Sequence, residues 1–168
     1  FPNWAEDVFL HNEFSAVNLA KHKIDKDSLK IMFSGNIGAE QDVENLMRAI
    51  ELTSKENYPI SWIFIGEGRK LDWMKNQVRE LKLEKNVFFP GQHPVFLMPS
   101  YFQAADVMLI SLKNEKIFSY TVPAKIQAYM ASSKPILAMI NGEGANIITE
   151  AGCGLVGNAD DYQSLAIN

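Results

Sequence analysis

LKIMFSGNIGAEQDVENLMRAIELTSKENYPISWIFIG, residues 29–66, reads in turn as a strand, a loop, a helix and a second strand. LKIMFS is an apolar run without alternation, closed by Gly35, which is the pattern of a strand buried on both faces. In the following segment Val43, Leu46, Met47, Ile50 and Leu52 fall near helical spacing, so their side chains share a face. ISWIFI, residues 60–65, is apolar again and ends at Gly66. A buried strand that returns through a helix to another buried strand is a parallel pair with a crossover connection.

The rhythm continues on the carboxyl side. LDWMKNQVRELKL (71–83) predicts a helix and NVFFPG (86–91) a short strand ended by Pro90 and Gly91. MPSYFQAA (98–105) predicts a short helix and DVMLISL (106–112) a strand. The polar loop KNEKIFSY (113–120) leads into a helix over about 123–132, with Pro123 in its first turn. PILAMI (135–140) is a strand, ANIITEA (145–151) a helix, GCGLVG (152–157) a strand, and DDYQSLAI (160–167) opens another helix. The expected fold is α/β, a Rossmann-like parallel sheet with helices on both faces. Residues 1–28, with a PNW turn (2–4) and a lysine-rich end, read as a connector rather than a core element. Residues 29–168 form the domain, and the abrupt ends suggest a piece of a longer protein, lacking an amino-terminal domain and cut short at its carboxyl end.

Composition narrows the function classes. The chain has 168 residues, 47% hydrophobic and 11% aromatic, enough for a real core in one domain. Its net charge is −4 with acids and lysines intermixed, which argues against a nucleic-acid surface. One cysteine, Cys153, excludes an internal disulfide and sits among small residues as a buried thiol would. No run approaches the ~20 apolar residues of a membrane span.

In sheets of this kind ligands bind in the loops at the carboxyl ends of the strands. Those loops are residues 34–41, 66–69, 91–94 and 113–125. In the first, Gly35 and Gly38 allow close backbone approach to a phosphate, and Asn36 and Gln41 carry donors; the alternative is a plain strand-to-helix turn. It is neither G-x-G-x-x-G nor a P-loop. In the second, Gly66 and Glu67 form a tight turn that faces a ligand hydroxyl or only solvent. In the third, His93 follows Gln92; with no nucleophile motif nearby, a triad or zinc site is poorly supported and His93 reads as a wall beside a ring. The last loop enters a helix through Thr121, Val122 and Pro123, with Lys125 about one turn in. The unpartnered amides of a helix start and a lysine there make an anion site, unless Lys125 is an ordinary surface lysine.

Taken in order, SGNIG…Q, FIGEG, LKLEKNVFFPG, YFQAADVMLISL, VPAKIQAYMASSKPILA and ITEAGCGLV resemble the carboxyl-terminal domain of GT-B glycosyltransferases. The likeness is greatest to family 4, in the FucNAc-transferase-like bacterial branch that builds surface polysaccharides, and it covers nearly the whole chain. The resemblance implies a domain that holds a nucleotide sugar as substrate, with UDP the expected nucleotide, no cofactor and no catalytic metal. It implies retaining transfer to a glycan or lipid-linked acceptor bound by an amino-terminal domain, so this chain alone transfers nothing. It assigns the first loop, with Gly35, Asn36, Gly38 and Gln41, to the diphosphate, which the helix-start reading extends to Thr121, Val122, Pro123 and Lys125. It assigns the base to the loop of Gln92 and His93, mainly through backbone; Gly66 and Glu67 join the ribose and base set from their turn, Gln127 or Lys125 is the substitute for the ribose, and no catalytic residue is assigned. The family's Glu-x7-Glu motif falls on Tyr120 and Ala128, so a ribose-binding carboxylate is missing, and Ser133 replaces a common glycine. The implied location is cytoplasmic, with peripheral attachment at the inner membrane face an option for the full-length protein. Two rivals stand beside this reading: a nucleotide-sugar 2-epimerase-like domain, and a degenerate GT-B domain that has lost its donor site.

Overall fold

The computed structural model describes residues 7–9 and 16–167; the expected turn at 2–4 lies outside them. Six parallel strands form one sheet: β1 (Leu29–Ser34), β2 (Ile60–Ile65), β3 (Val87–Gly91), β4 (Val107–Ser111), β5 (Ile136–Met139) and β6 (Gly154–Gly157). Their order is β3-β2-β1-β4-β5-β6, all neighbours parallel. This is the doubly wound arrangement expected from the alternation. Helices α1 (Val43–Lys55), α2 (Leu71–Glu80), α3 (Met98–Ala104), α4 (Lys116–Ser119), α5 (Lys125–Ala131), α6 (Glu143–Glu150) and α7 (Tyr162–Ile167) connect or follow the strands.

Successive strand residues serve opposite faces, as the period of two requires. Met32, Ile63, Met108, Ile110 and Ala138 meet α3, α5 and α6 on one side. Ile31, Phe33, Trp62, Phe64, Leu109 and Met139 meet α1, α2 and α7 on the other. Both faces are therefore covered, which is why the strands are apolar without alternation. On α1 the buried set is Val43, Leu46, Met47, Ala49, Ile50 and Thr53; Leu52 is only half-buried, because the 3.6-residue period turns position 53 inward instead. Residues 7–9 and 16–28 do contribute to the core: Phe9, Leu19 and Ile24 are buried in it, and Phe9 stacks on Phe102 at 5.3 Å.

Several boundaries differ from the sequence expectation. The segment after β4 is not all loop, since α4 occupies its middle. α2 ends at Glu80, where the chain turns through Lys82 at φ 58°. α6 starts at Glu143, taking in residues expected to precede it. α5 starts at Lys125, with Ala124 as its cap, so Pro123 stands outside the helix. The cause is local: Val122 precedes a proline and is steered away from helical geometry, while the Pro123 carbonyl accepts the Ile126 N–H at 2.9 Å. Beyond the end of α5, Ser133 adopts a left-handed φ of 57°. Glycine takes that conformation without strain, so the glycine expected at this position would fit it.

The sheet opens where it must. β1 and β4 pair only through Ile31–Val107 and Met32–Met108, so their carboxyl ends diverge at the point where strand order reverses. Crevices at such switch points are where ligands sit in doubly wound sheets. No helix among the described residues is long and apolar enough to cross a membrane.

Candidate functional site

At the carboxyl ends of β1, β2 and β3 the backbone itself builds a wall. Gly35 N–H donates to Ile65 O (2.9 Å), Gly66 N–H to Gly91 O (3.1 Å) and Ile37 N–H to Glu67 O (2.8 Å). Gly66 and Gly68 have φ of 132° and 156°, and a Cβ on either would collide with the carbonyl of Gly35 or Ile37. Only glycine permits this close lacing of two loops. The loops enclose an open cleft of about 710 Å³ lined by Ser34, Gly35, Asn36, Glu67, Gln92 and His93 among others.

Lys125 reaches this wall from α5. Its Nζ lies 4.0 Å from the centroid of the Phe33 ring and donates to Gln41 Oε1 at 3.0 Å. A Cβ added to Gly35 would stand 3.6 Å from the same Nζ, so the ammonium sits directly under the first glycine. Among the described residues it forms no ion pair. Burial pushes its pKa down to about 7, with the Glu40 carboxylate pulling the other way. The residue keeps some exposed surface, so water screens part of that burial. Lys125 stands behind Gly35, outside the cleft lining, with Glu40 as the carboxylate that acts on it but no ion pair, so an anion brought against Gly35 would favour its charged form.

Tyr129, one turn further along α5, ties that helix to β1. Its hydroxyl accepts the Ser34 N–H at 3.0 Å and donates to the Ser34 carbonyl at 3.2 Å. The ring is buried, and burial holds the hydroxyl protonated well above the usual phenol range. The Tyr129 and Ser34 bonds thus hold Lys125 in register with Gly35. Tyr129→Phe is expected to lose both bonds, destabilising the domain by about 1–2 kcal/mol, read as a fall of roughly 2–8 °C in Tm. An unchanged melting temperature would show that the clamp adds nothing.

The remaining expected residues divide. Glu67, Gln92, Gly66 and His93 border the cleft, as do Gly35 and Asn36. Asn36 donates to Glu40 Oε1 at 2.7 Å, so its amide is partly engaged. Gln41 is 7% exposed and outside the cleft lining; its side chain holds Lys125 while its carbonyl accepts from Ser111. Gly38 lies outside the cleft lining, against the Glu40 carboxylate. Thr121 is tied to the Phe118 carbonyl through both its N–H and its hydroxyl (each 3.3 Å), and Val122 packs on the core. Gln127 is turned back on its own helix start, where its amide, with O and N exchanged to suit its neighbours, donates to Ala124 O at 2.9 Å. Ala128 packs partly buried on the core and Tyr120 is 75% exposed. Phe33, Glu40 and Tyr101 escaped sequence reading: each is an unremarkable core or helix residue until tertiary packing sets it beside Lys125 or His93. Among the described residues no three His, Cys, Asp or Glu side chains gather as a metal site.

The family model for glycosyl transferases group 1 matches residues 15–167. This chain belongs to that family. WbjE, a probable glycosyltransferase of Pseudomonas aeruginosa, is 36% identical over 124 residues, 73% of this chain and 30% of its own. The chain thus spans under a third of that relative's length. In fold it is similar to WaaG, a glycosyltransferase involved in lipopolysaccharide biosynthesis, with TM-score 0.77 and 16% identity over 99% of this chain and 44% of that one. It is also similar to a variant of S. aureus TarM, solved with fondaparinux, alpha-GlcNAc-glycerol and UDP (TM-score 0.69, 16% identity, 90% of this chain and 30% of that one). Lys125 and its glycine wall thus lie by the carboxyl end of β1, in a sheet whose fold these glycosyltransferases share.

Proposed function

We propose that this group 1 domain holds a nucleotide-sugar donor, UDP-linked, for a retaining glycosyltransferase of bacterial surface polysaccharide synthesis. The observation that carries the reading is the desolvated Lys125 ammonium, without a carboxylate partner, beside Gly35 at the cleft wall. A diphosphate against Gly35 would supply the missing anion, and its base would extend toward the loop after β3. β1 and β3 are two strand spacings apart, roughly 10 Å, which suits a diphosphate at one end and a base at the other.

On this reading Lys125 stabilises the negative charge that develops on the departing diphosphate as the sugar moves to an acceptor hydroxyl. α5 has only seven residues, so the lysine contributes more than the helix dipole. The acceptor, a glycan or lipid-linked sugar, is met by an amino-terminal domain of the full-length protein. No cofactor takes part, and consumption of a nucleotide sugar fits a cytoplasmic site of action. The reading of a domain that has lost its donor site draws on Ala128, which cannot hold a ribose.

Calorimetric titration of this chain with UDP tests the proposal. The expected result is measurable, weak binding together with no sugar transfer from UDP-sugars. No heat of binding with UDP would favour the degenerate domain, and transfer by this chain alone would overturn the two-domain reading.

A further inference from the structure

The cleft has a second polar device, remote from Lys125, in the loop after β3. The Tyr101 hydroxyl lies 2.7 Å from His93 Nε2, and the two rings stack at 4.5 Å between centroids. Tyr101 is 2% exposed, and its hydroxyl has no other hydrogen-bond partner among the described residues. Two assignments are open in principle. If Nε2–H donated to the tyrosine oxygen, the hydroxyl proton would be buried with nothing to accept it, at a desolvation cost. If the hydroxyl donates, that cost vanishes, Nε2 is the acceptor, and the ring proton must sit on Nδ1. His93 is half-buried and lines the cleft, and Nδ1 has no protein partner among the described residues.

We propose that Tyr101 is a positioning residue that fixes His93 in its Nδ1–H form. Position 93 then offers a hydrogen-bond donor at the base end of the cleft and selects a nucleoside diphosphate whose base presents a carbonyl oxygen. The proposal rests on the nucleotide reading given above. It distinguishes UDP, a dione, from ADP, which carries no carbonyl on its base. Tyr101 touches no ligand; it acts through the proton it denies to Nε2.

Nitrogen-15 NMR of the imidazole and calorimetric titration with UDP and ADP together test it. In the wild type the His93 Nδ1 is expected to be the protonated, pyrrole-type nitrogen, and UDP is expected to bind more tightly than ADP. Tyr101→Phe keeps the ring stack but frees the tautomer; UDP affinity should fall roughly three- to tenfold, with ADP unchanged. Adding His93→Gln, whose amide donates without help from Tyr101, should restore part of the preference. A pyrrole-type Nε2 in the wild type, or equal losses for both nucleotides in Tyr101→Phe, would overturn the proposal alone. Failure of both nucleotides to bind the folded wild type would overturn it together with the nucleotide reading.

Discussion

Lys125→Met is expected to weaken UDP binding by roughly 10- to 100-fold, the range of a charge-assisted hydrogen bond of about 1.5–3 kcal/mol. Methionine keeps most of the apolar stem and its contact with Phe33, so the loss isolates the charge. The wild type should also show a pH signature that the variant lacks. Burial sets the free Lys125 pKa at about 7, and a bound diphosphate must raise it, since opposite charge favours the ammonium. Binding at pH 8 should therefore take up nearly one proton, visible as a dependence of binding heat on buffer ionisation enthalpy. UDP affinity should fall as pH rises above 7, approaching tenfold per unit.

The folded-state value lies below the ~10.4 of an unfolded lysine. Between the two the unfolded chain binds more protons, so stability of the free domain rises with pH from about 7 toward 10. Below pH 7 the buried ammonium opposes folding in full, and the variant should lack that segment of slope. Binding without proton uptake, or an unchanged affinity in Lys125→Met, would remove Lys125 from the site.

Gly66→Ala is expected to be strongly destabilising. At φ 132° an L-residue is strained, and the new Cβ would drive into the Gly35 carbonyl. Strain of about 1–3 kcal/mol and overpacking of similar size give a loss of roughly 2–6 kcal/mol, measured by urea unfolding. Gly152 supplies the control: its φ of 59° is also left-handed, but nothing lies within 4 Å of an added Cβ. Gly152→Ala should cost only about 1–2 kcal/mol. If both variants unfold at the same urea concentration, the close approach of the two loops is not what these glycines serve. Because Gly35 is the wall above Lys125, Gly66→Ala should also lower UDP affinity in whatever fraction remains folded.

The fold was legible because its signal is short-range. Uninterrupted apolar strands such as ISWIFI record burial on both faces, and crossover connections in parallel sheets leave one handedness open. Boundaries were less legible where a single residue decides them, as Val122 does before Pro123. The site was legible only in part. Gly35, Gly66, Glu67 and His93 follow strand ends, and the position of a loop after a strand is enough to send them to the cleft. Gln41 has the same local credentials, yet the structure turns it inward as the holder of Lys125, because its carbonyl is claimed by Ser111 across the sheet.

By itself the sequence determined the doubly wound sheet, the loops at its open edge and the family, since each rests on residue order and periodicity. Only the tertiary structure decided that Lys125 is enclosed by a ring and an amide and forms no ion pair among the described residues. Only it set the Tyr101 hydroxyl against His93 Nε2. Those properties depend on distances between residues far apart in the chain, Lys125 to Phe33 and Gly35 above all. Burial, which sets the charge of a lysine, has no counterpart in local pattern.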